Sequence, residues 1–445
     1  MEIVKALSAI NFFEYNRVLP DLCRAAELMA ASAGDTGAAE QFACYPSFIP
    51  AAPPQKRHAC VLSFGIGSGS TRAAVRLAET EDRNRWQLLF QTRHHEFQPQ
   101  LPGGPAFESF CSGIVKKAAD ALVSLGIHKK SVEACGVAWA NPIENKPLEN
   151  RGIGGAIAYH AQYRKGEWFL AGAKDGYDLG TPLLAALDRS GLRVKRFLIC
   201  NNGPLIMKAL TFAHGGMVAS NGINGTLVKE VQGSHKIICN GELGARWKLP
   251  AAIVSRADLI DDRRVAENFE SVCSTTFMPR LFSQYIVSLE RAGCGQFIGL
   301  AKKLAELQGG RWSVFSMPDL TNLLYNKPGF LERHGSWCDH SPEAIQGLED
   351  LARELIIRAA KLCAVLAYAT ICNQIKEQRG ATVALDSSLA RETPIFLSVL
   401  RDTLLEISPS RKNVELLLVE PLALPGGEIT VPMLGSANAL DTLAK

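Results

Sequence analysis

The sequence predicts an α/β protein built as two units, on three observations. Its 445 residues exceed what one compact core ordinarily serves. Apolar runs of strand length alternate with helical patterns along most of the chain. Each half also opens on strands joined by a glycine-rich hairpin or its equivalent, as in a two-lobed α/β fold. A composition of 47% hydrophobic and 21% charged residues is that of an ordinary globular chain.

The elements follow in order. Residues 3–32 carry apolar side chains at helical spacing (Leu19, Leu22, Ala26, Met29). A proline-rich loop is expected over Tyr45–Pro54. A strand at 59–64 runs into the turn Gly65-Ile-Gly-Ser-Gly-Ser-Thr-Arg72, and a second strand at 73–77 resumes at once. That spacing is a hairpin, whereas a Walker loop or dinucleotide fingerprint would open a helix there. Strand 86–92, helix 107–125, strand 134–140 and helix 182–190 complete the first unit. The second begins at strand 196–200 and a helix reaching Leu210. Hairpin strands at 217–220, 226–230 and 236–240 come next, then helical stretches over 268–305 and 342–376. Strand 381–386, helix 393–407 and strand 414–418 end the series.

Charge and cysteines narrow the function classes. Lys and Arg number 48 against 44 Asp and Glu, a net +4 with no basic run, so neither a nucleic-acid nor a membrane partner is implied. The first 31 residues contain Glu2, Glu14, Asp21 and Glu27 and do not read as a signal peptide. The greasiest stretch, 355–371, is broken by Arg358 and Lys361 and reads as a core helix. Twelve cysteines stand singly, the pattern of core thiols in a reducing compartment, and the chain is expected to be cytoplasmic. The nine histidines form no ligand spacing, and no metal site is expected from them.

Nine short motifs then occur in one order. They are Tyr45-Pro-Ser-Phe-Ile49, Gly65-Ile-Gly-Ser-Gly-Ser-Thr-Arg72, Ala171-Gly-Ala-Lys-Asp-Gly176 and the strand-to-helix segment Phe197-Leu-Ile-Cys-Asn-Asn-Gly-Pro204. Ser220-Asn-Gly-Ile-Asn-Gly225, Asn240-Gly-Glu-Leu-Gly244, Phe269-Glu-Ser-Val-Cys273 and Leu385-Asp-Ser-Ser-Leu389 follow, and Leu434-Gly-Ser-Ala-Asn-Ala439 closes the series after them. Together they resemble the motifs of hexokinases, in the family's order and at about its spacing. The resemblance implies a two-lobed actin-like ATPase fold with a ribonuclease H-like core and a ligand cleft between the lobes. Its boundaries would be 1–58 for an N-terminal helical arm and linker on the large lobe, 59–200 for the small lobe and 201–434 for the large lobe. Residues 435–445 would be a short segment returning towards the small lobe, and the stub from Ala439 is marginal as a helix by itself.

The resemblance also implies a site, with departures. Lys174, Asn201, Asn202, Glu242 and Glu270 match sugar contacts, although Glu is more often a solvated surface acid. Gly65, Gly67, Ser68, Gly69, Ser70, Arg72, Asn221, Gly222, Asn224, Asp386, Ser387, Ser388, Gly435 and Ser436 match positions that touch nucleotide and phosphate. The glycines of 65–69 fit a phosphate cradle, or equally a tight hairpin needing positive φ. Asn202 stands where the family has the Asp that takes the proton from the sugar hydroxyl, and an amide is no base near neutral pH. Gly65 stands where the family has an Asp associated with the Mg-nucleotide. Ala173 replaces a hydroxyl donor, Ile223 replaces a threonine, and Ser387 puts a Cβ at a glycine position. Asp175 and Asp178 are the nearby carboxylates that could substitute as base.

Losing a general base removes about 10²–10⁴-fold, and losing a metal-associated carboxylate attacks the larger electrostatic contribution. The implied function is a hexokinase-like protein that binds a hexose-like or nucleotide ligand as a sensor or regulator, with ATP and Mg weakly held. The rival is an ATP-dependent hexose kinase working through an atypical constellation.

Overall fold

The computed structural model describes residues 2–32, 45–54, 56–67, 70–79, 84–93, 105–140, 142–148, 151–157, 176–231, 235–250, 268–297, 299–308, 313–336, 341–376, 380–409 and 413–443. Two mixed sheets organise them. The first has seven strands in the order β4-β3-β2-β5-β8-β7-β6. They are β2 (Cys60–Ile66), β3 (Ser70–Ala78), β4 (Asn84–Arg93), β5 (Ala134–Trp139), β6 (Ile143–Leu148), β7 (Gly152–Ile157) and β8 (Arg196–Asn201). Strands β2, β5 and β8 are parallel neighbours, and their runs are apolar because both faces are covered. Helices α3 (Pro105–Ser124) and α4 (Gly180–Arg189) pack over one face, closing a core around Phe64, Phe107, Trp139 and Phe197.

The second sheet has six strands in the order β1-β11-β10-β9-β12-β13. They are β1 (Tyr45–Pro50), β9 (Gly215–Ala219), β10 (Ile223–Val231), β11 (His235–Asn240), β12 (Ala381–Asp386) and β13 (Val414–Leu418). Its core surrounds α12 (Pro342–Lys376), a helix apolar and long enough to cross a membrane but mostly buried within the protein. Two N-terminal helices, α1 (Glu2–Ala9) and α2 (Glu14–Ser32), lie on α12. Arg358 fixes them: it is fully buried, lies 4.7 Å from the Phe12 ring centre and 5.4 Å from that of Tyr285, and donates to the Tyr285 hydroxyl at 2.9 Å. Tyr368 adds a hydrogen bond to Glu27 at 2.7 Å.

Four expectations need correction. The 45–54 segment is not all loop: residues 45–50 form edge strand β1, where prolines are tolerated because no strand among the described residues pairs with its outer side. The helical pattern of 3–32 is interrupted at Asn11, which turns left-handed at φ 60°. The stretch 268–305 is not continuous but divides into α7 (Phe269–Cys273), α8 (Met278–Arg291) and α9 (Leu300–Gln308), and left-handed Gly293 and Gly299 lie in the second break. Helices α10 (Met317–Tyr325) and α11 (Lys327–His334) were not anticipated.

The largest correction is the C-terminal stub. It is the end of α15 (Val431–Leu443), a helix that starts before the predicted segment and is buried along almost its whole length. It crosses α5 (Asn202–Ala209) at Gly435, where a Cβ would lie 1.7 Å from the Leu205 carbonyl oxygen. Its far end carries Asp441, which takes two hydrogen bonds from buried Arg76, at 2.7 and 2.9 Å, and one from the His58 backbone N–H at 2.9 Å. Burial alone would raise the Asp441 pKa, but the hydrogen bonds from His58 and Arg76 hold it below the usual carboxylate range. The chain between β1 and β2, which passes from one sheet to the other, is thus tied to α15 at His58. It is also tied to α5 at Ala52, whose carbonyl accepts from Lys208 Nζ at 2.6 Å.

Candidate functional site

The C-terminal end of β8 is the centre of the site. Asn201 ends the strand and caps α5, its side-chain oxygen accepting the Gly203 N–H at 3.0 Å. Gly203 is required there, because a Cβ would stand 2.4 Å from Thr226 Oγ1. Asn202 opens the helix, half-buried, and its amide makes no hydrogen bond among the described residues.

Facing it, β10 presents Asn224 and Thr226 on one face, and Asn240 of β11 pairs with Thr226. Asn224 Nδ2 approaches the side-chain oxygens of Asn240 at 2.6 Å, Asn201 at 3.3 Å and Glu242 at 3.4 Å. Asn240 Nδ2 donates to the same Glu242 oxygen at 2.7 Å. Glu242 is held in the left-handed region, φ 45°, a costly conformation for a residue with a side chain. Glu270, on α7, accepts the Ile223 N–H at 3.2 Å. Asn201, Asn224, Asn240, Glu242 and Glu270 are all at most 5% exposed. That burial removes the reading of Glu242 and Glu270 as surface acids. Asn224 Oδ1 and Thr226 Oγ1 are buried and have no partner among the described residues, so the cluster keeps acceptor and donor capacity in reserve.

Sequence reasoning placed Asn224 with the phosphate groups, and the structure hydrogen-bonds it to Asn201, Asn240 and Glu242. It missed Asn240 and Thr226, although the alternation Asn224, Thr226 on one strand was a usable signal. Lys174, Asp175, Ser68 and Gly69 lie outside the described residues. Asp178 is no spare base: it accepts from the Gly180 N–H at 2.8 Å, the Thr181 N–H and the Thr181 hydroxyl, and so caps α4.

The phosphate-side positions are a different kind of place. Gly65 lies within strand β2, paired with Arg72, and neither Gly65 nor Gly67 has positive φ, so hairpin φ is not what these glycines supply. A Cβ on Gly65 would meet Met433 Sδ at 2.9 Å and Cγ at 3.0 Å, so the first turn of α15 fills the space beside it. Gly67 N–H and Ser70 carbonyl close the turn at 3.1 Å. Arg72 reaches Glu428 at 3.5 Å on the hairpin β14 (Leu422–Leu424) and β15 (Gly427–Ile429), and burial lowers its pKa.

Ser387 does not obstruct its loop. Its hydroxyl bonds to the Ala219 carbonyl and accepts the Ala390 N–H at 2.9 Å, capping α13 (Ser388–Glu392) from inside. Ser388 N–H donates to Ser220 Oγ at 3.1 Å, joining the second and third loops. Exposed Asn221 accepts from Thr275 at 3.0 Å, and Gly222 follows it into β10. Asp386 ends β12 with its carboxylate 3.1 Å from Arg391, and burial raises its pKa despite that partner. Gly435 and Ser436, expected to face nucleotide, are mid-helix and buried. Ser436 Oγ is 3.2 Å from Ser63 Oγ and donates to the Met433 carbonyl at 2.8 Å. Among the described residues no three His, Cys, Asp or Glu side chains are grouped closely enough to hold a metal ion.

A family model described as hexokinase matches residues 214–426, most of the second sheet and its helices. The structure of a hexokinase from Schistosoma mansoni, complexed with glucose, matches 98% of this chain and 98% of its own at 17% identity, with a TM-score of 0.75. A second hexokinase crystal structure matches 99% of this chain and 96% of its own at 15% identity, with a TM-score of 0.67. At such identities the structural likenesses establish the two-lobed fold. No curated protein matches the sequence.

Proposed function

The chain belongs to the hexokinase family, and we propose that it uses the family's cleft to bind a hexose-like ligand as a sensor or regulator, with little or no phosphorylation of it. One observation carries the reading. The sugar side of the cleft keeps a buried, mutually hydrogen-bonded set of amides and a carboxylate, while the two positions that would supply base and metal-linked charge are Asn202 and a sterically filled Gly65. A polyol is recognised by such fixed donors and acceptors, and the left-handed Glu242 is a preorganised acceptor. The S. mansoni hexokinase was solved with glucose, which makes glucose the first ligand to try.

The family's cosubstrate is ATP with Mg. Asn202 keeps a sugar hydroxyl hydrogen-bonded but takes no proton from it, and transfer without that base forfeits about 10²–10⁴-fold. The residues present do not fit a family-like Mg site: Gly65 offers no carboxylate, and that of Asp386 is engaged by Arg391.

Calorimetric titration with glucose and other hexoses, beside coupled ADP release with the same panel, tests the reading. Sugar binding with turnover far below ~1 s⁻¹, the low end of ordinary enzyme rates, is expected. Turnover at or above that rate would establish the rival, a working kinase. Glu242→Gln should weaken sugar binding by about tenfold, because a charge-assisted acceptor becomes a neutral one. Unchanged affinity in that variant moves the pocket elsewhere.

A further inference from the structure

The phosphate side of the cleft holds three carboxylates and two guanidinium groups, and their arrangement is specific. Asp386 lies at the end of β12, Glu420 just beyond β13, and Glu428 on β15. Arg391 Nη2 is 3.1 Å from Asp386 Oδ1, its Nε is 4.0 Å from Glu420 Oε2, and its Nη1 donates to the Val419 carbonyl at 3.2 Å. Arg72, from the other sheet, takes Glu428 at 3.5 Å. Each of the three carboxylates is therefore within salt-bridge reach of an arginine.

The position of Arg391 is built in. The Ser387 hydroxyl caps α13 from inside the protein, and one turn later the helix brings Arg391 back over Asp386. Both members of the pair are mostly buried, at 26% and 16% exposure. A guanidinium is planar, permanently charged and fixed in its fork, so it holds such a place without an ion from solution. A Mg²⁺ ion would need free carboxylate oxygens in near-octahedral order and would have to displace Arg391 from its contacts to get them. We infer that Arg391 is the resident counter-ion of this corner, occupying the cation position against Asp386 and Glu420, so that a polyphosphate anion binds here without a divalent metal. Arg391 has five N–H donors and makes two of these contacts as hydrogen bonds, to Asp386 and the Val419 carbonyl, and Arg72 Nε is buried with no partner among the described residues. The inference rests on the reading of this cleft as a ligand site, and it concerns the half of the cleft that sugar does not touch.

The test is titration of the full chain with ADP and with inorganic pyrophosphate, each with EDTA and again with excess magnesium chloride. Wild type should bind ADP with the same affinity in both, within about twofold. Equal strength for pyrophosphate assigns recognition to the phosphates, and much weaker pyrophosphate assigns part of it to the nucleoside; both support the counter-ion. Arg391→Met should weaken metal-free binding about tenfold or more and make it Mg-dependent, because Asp386 and Glu420 are released. Arg391→Lys, which keeps the charge, guards against a folding defect and should retain Mg-independence with reduced affinity. Mg²⁺ strengthening wild-type ADP binding about tenfold or more overturns the inference, as does failure of wild type to bind either probe. Hexose binding measured on the same samples separates the two readings: sugar bound with Mg-dependent ADP sinks only the counter-ion, and Mg-free ADP without sugar sinks only the sugar sensor.

Discussion

The proposed sugar side and the proposed phosphate side of the cleft are built differently by the same chain. On the sugar side, Asn201, Asn224, Asn240 and Glu242 answer one another with hydrogen bonds and leave two polar atoms in reserve. On the phosphate side, Met433 packs against Gly65, Arg391 pairs with Asp386, and Gly435 and Ser436 are buried inside a helix. The amides of Asn224 and Asn240 hydrogen-bond the Glu242 carboxylate from within, so this frame survives without a charged ligand. A corner of bare carboxylates does not, and must be neutralised from within or by a metal. The two functions of a kinase cleft, holding an acceptor and moving a phosphoryl group, are thus separable in structure.

The strongest way to break this comparison is to loosen α15, the helix that packs beside Gly65. Asp441→Ala leaves Arg76 buried without its carboxylate, and a broken buried pair costs about 3–5 kcal/mol. Urea denaturation should show that loss, and Arg76→Met combined with Asp441→Leu should recover most of it. A loss under about 1 kcal/mol in Asp441→Ala would mean that α15 is not held by this pair.

A second test concerns α5, whose N-terminal end meets the sugar side and whose other end holds the connector between the sheets. Lys208 is buried with its ammonium on one carbonyl, and burial lowers its pKa to about 8 from 10.5. The folded pKa lies below the unfolded one, so the unfolded chain binds more protons between those values and stability rises with pH through that window. The penalty, an upper bound of about 3 kcal/mol, is fully present below pH 8 and absent above the unfolded pKa. Lys208→Met should remove the rise seen in denaturation curves from pH 8 to 10. An identical slope in the variant would show that the ammonium is well solvated.

How much of this could be read beforehand depends on whether one segment or several carries the signal. The parallel strands β2, β5 and β8 announce themselves as apolar runs, and α12 by its length. Glu242 and Glu270 could be named from short motifs. Strand β1 could not, since Pro46 and Pro50 argue for a loop until an edge position is known. Strands β6 and β7 hide behind Gly152, Gly154 and Gly155, which lower strand propensity. Helix α15 begins at Val431-Pro432, ahead of the motif that drew attention, and its stability comes from burial instead of helical propensity. The Asn224–Asn240 contact depends on the register of two strands, and the grip of Arg391 on Asp386 on a strand, a cap and a helix in sequence. No window of sequence contains either.

Restoring a carboxylate at Gly65 sharpens the comparison from the phosphate side. Gly65→Asp should cost roughly 1–3 kcal/mol, because its Cβ arrives within 3 Å of the Met433 thioether. Thermal denaturation measures this, and Met433→Ala in the same chain should relieve it. If Gly65→Asp alone is as stable as wild type, the corner is roomier than its packing implies.

The smallest effect is expected where the sequence looked most defective. Asn202→Asp is nearly isosteric, breaks no hydrogen bond among the described residues, and puts a negative charge in the first turn of α5, where the helix dipole favours it by about 0.3–1 kcal/mol. The variant should therefore fold as well as wild type or slightly better. A restored base is worth about 10²–10⁴-fold only when the phosphoryl group it serves is already positioned and its charge neutralised. With no carboxylate at Gly65 and Asp386 held by Arg391, hexose-dependent ADP release should rise by less than about tenfold. A coupled assay on hexose-saturated protein measures it. A gain of about 10²-fold or more would mean that the phosphate side was competent all along and that Asn202 alone separated this chain from a kinase.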